Sequence, residues 1–372
     1  MSQRDIPPPS LAAEYYGLAG HRADGFAAAS RVLLQGLSAG LPPAAAMTVS
    51  SRRGTCYRAG GGWASLGDSS AAPVAATMDT LFDLASLTKV IVTTPLVLLL
   101  HQQRAWDLDD PISRWLPGAS RSAATIRQCL THTAGLIPHR PYFSLQRDAG
   151  QLKQAVLDDL GAAAAPGPVR YSDLSFMLLG WAAENCAGEA LDVLARQEVL
   201  EPLGMTRTCY RPAANLDSIA ATEVNGDQRL QHEAIWGTVH DGNAFAMDGV
   251  SGHAGLFAPV DDLNLFATSL LRPETHPVLR PETVAMMTTL HARTGSDARA
   301  LGWRLRPAEW GRWPPGTFWH TGFTGTSLLI SPRADTAVAL LTNFVHPARR
   351  PDEAGLLRTR LHRAVLRART SS

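Results

Sequence analysis

Apolar positions recur at helical spacing over residues 25–39 and stop at Gly40 and the Pro42-Pro43 pair, which predicts a helix closed by a glycine cap. Two strand-like runs follow, 45–51 and 55–66, parted by the polar turn Arg52-Arg53-Gly54. After Leu81-Phe82-Asp83-Leu84 the spacing becomes that of a long helix opening at Ser86, and the pattern stays mostly helical to about residue 202. Inside it the apolar run 90–100 reads as a buried helix kinked at Pro95, too short to span a bilayer. Strand patterning returns at 326–331 and 336–343, on either side of Pro332-Arg333-Ala334-Asp335. Residues 352–369 place Leu357, Leu361 and Val365 on one face of a terminal helix, with its arginines on a solvated face.

Strands at both ends with helices between them predict an α/β (α+β) fold: one antiparallel sheet formed from both termini, flanked by helices, with an inserted, mostly helical lobe. The boundaries read from the pattern are 12–85 with 290–369 for the α/β lobe, and 86–289 for the helical lobe and active-site loops. Residues 1–11 and 370–372 are expected to be disordered ends.

Composition narrows the function. With 372 residues, 45% of them hydrophobic, the chain exceeds what one core usually serves, in line with two lobes. The 34 basic and 33 acidic side chains leave a formal charge of +1, which excludes binding to nucleic acid or a membrane surface through bulk charge. A small-molecule or peptide substrate is the expected partner. The first ten residues hold no apolar signal core, so the expected location is cytoplasmic. Cys56, Cys129, Cys186 and Cys209 show no paired spacing and read as reduced thiols. No metal-ligand or phosphate-loop pattern calls for a metal or cofactor.

The chemistry centres on Ser86-Leu87-Thr88-Lys89, which puts a hydroxyl and an amine three residues apart on one helix face at a helix start. Backbone amides there hold a developing anion, and the amine takes the serine proton. Taken alone, the same four residues also fit a helix cap beside an exposed lysine. Tyr171-Ser172-Asp173 follows Pro166-Gly167-Pro168 and opens a helix with Leu174, Met177, Leu178 and Trp181 on its apolar face. Either Asp173 caps that helix and Tyr171 packs, or the phenol lies beside Lys89, whose charge would lower its pKa from roughly 10 toward that of a usable base. His320-Thr321-Gly322 follows the strand-like Thr317-Phe318-Trp319, and its glycine admits an acyl group close to the backbone. The Phe323 N–H would then form an oxyanion hole with that of Ser86.

These three motifs in this order resemble the serine β-lactamase and penicillin-binding-protein superfamily, in the class C-like branch with Tyr-x-Asn and Lys/His-Thr-Gly motifs. The likeness covers nearly the whole chain and includes residues 130–136 and Ala254-Gly255-Leu256-Phe257. Residues 240–244, 249–255 and 343–347 further resemble a bacterial subgroup of penicillin-binding-protein 4B-like hydrolases and N-acetylmuramoyl-L-alanine amidases of cell-wall recycling. The resemblance implies a β-lactamase/transpeptidase-like fold and a serine hydrolase acting through an acyl-enzyme on a small ester or amide. It makes Ser86 the nucleophile, with Lys89 and Tyr171 sharing acid/base work. His320, Thr321 and Gly322 would face the substrate. A peptidoglycan-fragment amidase, a D-Ala-D-Ala carboxypeptidase, a true β-lactamase and a sensor that is acylated without turnover are the alternatives it leaves.

Two positions depart from the family pattern. Asp173 replaces the usual asparagine, exchanging an amide donor to substrate for a carboxylate able to pair with Lys89. His320 stands where many β-lactamases carry lysine and is expected to be mostly neutral at pH 7. Both argue against strong β-lactam turnover. His240, Asp241 and Asn243 either contact substrate or tie down their own loop. His253 is expected to line the site and His132 to be structural. Gly36-Leu37-Ser38-Ala39-Gly40 matches a hydrolase nucleophile elbow, but it ends a helix where an elbow must follow a strand.

Overall fold

The structure, a computed structural model, describes residues 11–16, 26–67, 72–119, 122–145, 148–163, 165–224 and 234–370. The first part of the chain supplies strands β1 (Leu11–Tyr15), β2 (Ala44–Ser51), β3 (Gly54–Ser65) and β4 (Val74–Ala75). The middle supplies β5 (Phe82–Asp83), β6 (Cys209–Tyr210) and β7 (Leu256–Ala258). The last part supplies β8 (Ala292–Thr294), β9 (Asp297–Arg299), β10 (Arg304–Leu305), β11 (Phe318–Thr321), β12 (Ser327–Ser331) and β13 (Thr336–Thr342). Among the described residues the main sheet runs β1-β3-β2-β13-β12-β11-β10-β9-β8, with β4 on β3 and every pair antiparallel. The two ends of the chain meet where β2 pairs with β13, Ala45 opposite Thr342 and Ser50 opposite Ala337.

Alternation along the central strands explains the layers. On β13, Val338 and Leu340 point to one face, where Leu33 and Leu37 of the helix Ala27–Ser38 and Leu361 and Val365 of the helix Pro351–Thr370 cover them. Ala337, Ala339 and Leu341 point to the other face, into the larger core with Val90, Leu96 and Leu98. Covered on both faces, β13 is buried along its whole length. The ends expected to be disordered fall almost wholly outside the described residues; of them, Leu11 starts β1 and Thr370 closes the last helix. Ser38 is the last residue of the first helix and Gly40 follows with φ +67°, so the elbow-like pattern is a helix terminus.

The segment after β5 departs from a kinked α-helix. A 3₁₀ turn, Ala85–Leu87, leads into the wide turns of a π-helix, Lys89–Thr93, and an α-helix begins at Thr94 and runs to Gln102. Pro95 sits in the first α turn, where its missing N–H is not needed, so it marks the change of helix type. The Thr94 amide and hydroxyl both donate to the Lys89 carbonyl, the hydroxyl at 2.8 Å. Ala85–Gln102 is apolar and long enough to cross a membrane by composition, yet 78% of it is buried inside the fold. A small second sheet, β5-β7-β6, holds the chain just ahead of this segment. Its strands, two or three residues each, are too short for any alternation to mark them.

Candidate active site

Ser86 lies half-buried in the 3₁₀ turn directly after a strained residue, Ala85, whose φ is +47°. Asp83 holds that turn: one carboxylate oxygen accepts the Ala85 amide at 2.7 Å and the other accepts the His240 amide at 2.7 Å. Burial pushes the Asp83 carboxyl up, against those two amides. The wide turn then carries Lys89 back beneath Ser86. Its ammonium is wholly buried and donates to Ser86 Oγ at 2.8 Å and to the His253 carbonyl at 3.0 Å, and it pairs with Asp173 Oδ1 at 2.8 Å. Two hydrogen bonds and one carboxylate thus surround the ammonium. Burial works against the charge, but Asp173 and Tyr171 outweigh it and hold Lys89 above the ordinary lysine range.

Asp173 is free for this pairing because another residue caps its helix. Ser172 is the N-cap of Asp173–Ala187 and its hydroxyl accepts the Ser175 amide at 3.4 Å. Burial alone would raise the Asp173 pKa; Lys89 and a hydrogen bond from His139 instead hold it far below the usual carboxylate range. The Tyr171 ring lies beside the lysine, its centroid 5.2 Å from Lys89 Nζ. The expectation that Lys89 would bring this phenol down does not hold. Burial raises it, Asp173 adds to that, and Lys89 only partly offsets them, leaving Tyr171 above its usual value.

The third motif closes the site from the sheet side, where β11 packs against the Ser86 turn. Gly322 is required there: a Cβ on it would sit 2.3 Å from the Leu84 carbonyl oxygen and 2.1 Å from Thr326 Oγ1. Thr324 Oγ1 donates to the Asp83 carbonyl at 2.7 Å, tying the turn after β11 to the segment before Ser86. Thr321 ends β11 opposite Ser327. Phe323 is 52% exposed, between the His240 ring (5.6 Å) and the Arg349 guanidinium (5.5 Å). Among the described residues, neither the Ser86 nor the Phe323 amide donates a backbone hydrogen bond. Two N–H groups at a strand end and a helical turn are the equipment of an oxyanion hole.

The histidine and asparagine candidates are engaged within the protein. His320 does not present its ring outward: it is 2% exposed, its Nδ1 bonds the Thr321 carbonyl at 2.9 Å, and its Nε2 is buried without a partner. Burial first, then Lys89 and Arg299, holds it well below the ordinary histidine range. The buried His253 ring bridges Ser251 Oγ (2.7 Å) and Asp241 Oδ1 (2.9 Å), so what reaches the site is its carbonyl, on Lys89. Although burial opposes it, His253 brings Asp241 down to about 2. Asn243 is fully buried; it accepts the Phe143 amide at 3.1 Å and donates to the Arg140 carbonyl at 2.9 Å, tying two loops together. His240 bonds Glu223 at 3.0 Å and stacks on Phe323. His132 accepts the Ser172 amide at 3.1 Å, and its ring lies tilted against that of Tyr171 at 4.6 Å.

Three further neighbours were not singled out from the sequence. Asp83 fixes the Ser86 turn. Arg299 on β9 lies 5.7 Å from the Tyr171 ring centroid, and its Nη1 is buried without a partner. His139 faces Asp173 Oδ2 at 3.4 Å. Asp83 lies three residues before Ser86 in a strand too short to show a period, Arg299 is remote in sequence from the motif it serves, and His139 sits in a loop marked only by the flanking prolines of Pro138-His139-Arg140-Pro141.

Comparison with known proteins places this geometry. The family described as Beta-lactamase matches residues 33–361. A putative D-alanyl-D-alanine carboxypeptidase of Escherichia coli (strain K12) is 33% identical over 312 residues, 74% of this chain and 71% of that protein. An N-acetylmuramyl-L-alanine amidase of Bacillus subtilis (strain 168) is 32% identical over 314 residues, 74% of this chain and 70% of that protein. Among solved structures, EstCE1, a hydrolase with promiscuous acyltransferase activity, shares the fold with a TM-score of 0.75 at 23% identity, over 92% of this chain and 98% of that one. A class C beta lactamase from Rhodobacter sphaeroides does so with a TM-score of 0.70 at 20% identity, over 91% and 98%. The mixed α/β architecture with its antiparallel sheet is thus the β-lactamase/transpeptidase fold, and the chain belongs to the beta-lactamase family as a serine hydrolase.

Proposed function

We propose that Ser86 is the nucleophile and that the enzyme hydrolyses a small ester or amide through an acyl-serine. The contact of Ser86 Oγ with the buried, carboxylate-paired Lys89 ammonium at 2.8 Å carries this reading. Ser86 Oγ attacks the substrate carbonyl carbon, and the oxygen that becomes negative rests between the Ser86 and Phe323 amides. Lys89 is held charged, so the Ser86 proton passes to Tyr171 in its ionised fraction, with the ammonium stabilising that phenolate. Tyr171 then returns the proton to the departing alkoxide or amine as the carbonyl–heteroatom bond breaks. Water, deprotonated along the same route, releases the acid and frees Ser86.

For the substrate we favour a short-chain ester or an amide of a peptidoglycan fragment over a β-lactam. The names of the relatives above 30% identity support the amide. The inward, uncharged His320 supports the ranking against β-lactams, since it supplies little field for a substrate carboxylate. The test is intact-mass labelling with a fluorophosphonate, alongside kcat/KM for a short p-nitrophenyl ester, a chromogenic cephalosporin, a D-Ala-D-Ala peptide and a muramoyl-peptide. One adduct mapping to Ser86 and absent from Ser86→Ala is expected. Labelling elsewhere overturns the nucleophile, a cephalosporin leading by orders of magnitude overturns the substrate ranking, and an adduct without turnover identifies an acylated sensor.

A further inference from the structure

Asp173 introduces a negative charge beside the phenol that has to ionise, and the structure sets a second cation against it. The carboxylate divides its oxygens, Oδ1 to Lys89 at 2.8 Å and Oδ2 to His139 Nδ1 at 3.4 Å. His139 is held in place at both ends of its loop. Ser172 Oγ donates to the Ile137 carbonyl at 2.7 Å and the Asp173 amide to the Pro138 carbonyl at 2.9 Å. On the far side Asn243 binds the Arg140 carbonyl and the Phe143 amide. The segment that presents His139 is therefore bonded to the turn that presents Tyr171 and Asp173. Yet His139 itself is 47% exposed, where it exchanges protons with solvent, while Lys89 is sealed.

We propose that His139 is a positioning residue of this site: its imidazolium, seated on the second oxygen of Asp173, offsets the charge that this carboxylate adds beside Tyr171 and so favours the ionised phenol. The inference rests on the acyl-serine reading above. The charged groups facing His139 are Asp173 at its helix start, Asp241 at the cap of the helix Gly242–Ala246 and Lys89 from the wide turn. Arg140, beside it in the chain, is paired with Asp159 at 2.9 Å. The Asp173 hydrogen bond outweighs burial and holds His139 above the ordinary histidine range. Asp241 is engaged by His253 at 2.9 Å, so along the chain Lys89–Asp173–His139 a protonated His139 leaves two cations to one anion, the net charge that a lone lysine with a neutral amide partner would supply. When His139 loses its proton, Asp173 has only Lys89 to answer it, and forming the phenolate becomes harder.

The consequence is a pH profile with a particular shape. As pH rises, the ionised fraction of Tyr171 grows and turnover climbs. Once His139 deprotonates, loss of the imidazolium cancels about tenfold of the further gain in phenolate, so the climb pauses for about one pH unit above the histidine range before it resumes. The experiment measures kcat and KM for a short p-nitrophenyl ester from pH 5.5 to 9.5 in the wild type, His139→Lys, His139→Gln, Asp173→Asn and the double variant Asp173→Asn/His139→Gln, with thermal melts to confirm folding. His139→Lys keeps the charge, and its rate should climb without that pause. His139→Gln should lower kcat about tenfold, the equivalent of one pKa unit at Tyr171, with KM within about twofold. In the Asp173→Asn background the same change should cost less than about twofold, because no charge is left to offset. Equal cost in both backgrounds, or identical profiles for the wild type and His139→Lys, overturns the proposal. If Asp173→Asn does not fold, the profile comparison decides. Ser86→Ala separates the two levels: activity retained there overturns the acyl-serine reading, whereas activity lost there with His139→Gln at full rate overturns only the role of His139.

Discussion

The two sides of the Lys89–Tyr171 pair treat charge in opposite ways. On the mouth side Lys89, Asp173 and His139 form a chain in which each charge meets its opposite. On the inner side, against β9 and β11, His132 and His320 each bury a nitrogen with no partner, and so does Arg299 at Nη1 although its other nitrogens pair with Asp297 at 2.9 Å. There burial is the first cause of a lowered pKa for all three, and both histidines are kept uncharged. The two sides are neighbours, so distance from Lys89 does not decide whether a group is charged. The nearest carboxylate does.

The largest effect should come from breaking the paired side. Lys89→Met leaves Asp173 buried with only the half-exposed His139 for company, and it should cost about 3–5 kcal/mol of stability. Turnover should fall by at least about a hundredfold. Urea unfolding and ester kinetics measure both. Arg299→Met on the inner side removes the closer partner of Asp297 but should cost less than half as much, since Asp297 keeps Arg304 at 3.6 Å. Equal costs would erase the distinction between the sides.

Next, Tyr171→Phe should keep the fold and lower kcat by about a hundredfold or more, with KM little changed. Near-normal turnover would make the ring a packing element between His132 and Lys89 and move the proton work to another group.

A smaller effect concerns acid. His132 and His320 have folded pKa values well below the unfolded value of about 6.5, so below that pH the unfolded chain binds protons that the folded one refuses. Their contribution to stability is complete above about pH 6.5 and is lost as pH falls below it. The melting temperature should therefore drop between pH 7 and 5, and His320→Gln should shrink that drop. An unchanged drop in this variant would show that His320 charges freely in the folded protein.

The smallest effect is an absence of change. A sealed, neutral His320 cannot sense a substrate carboxylate, so the kcat/KM ratio for a carboxylate-bearing and a neutral ester should be flat from pH 5.5 to 8. A ratio that rises toward acid would place the ring in the site.

Much of the fold was legible in the chain. The helix closed by Gly40, the pair β2 and β3 around Arg52-Arg53, the late strands β12 and β13 and the terminal helix all lie within a few residues of their sequence positions, because each is long enough to show its period. The three motifs also come together as expected, and the pairing of Asp173 with Lys89 was readable because a carboxylate replaced an amide in a motif already placed beside the lysine. The small sheet β5-β7-β6 and the wide turn at Lys89–Thr93 were not. The first has strands too short for a period, and the second differs from an α-helix by one residue per turn, which the apolar pattern around Pro95 does not resolve.

What the sequence by itself determined was that the motif side chains Lys89, Tyr171 and Asp173 meet at the Ser86 turn, since local spacing and the three motif edges constrain that. What only the tertiary structure decided was the charge each one carries. His320 and His139 are the same residue type within reach of the same lysine. One is shut in on the interior strand β11 with no carboxylate partner, and the other is pinned against Asp173 with one side in water. Ionisation depends on desolvation and on the nearest opposite charge, and both are set by packing between segments far apart in the chain, to which no local pattern responds.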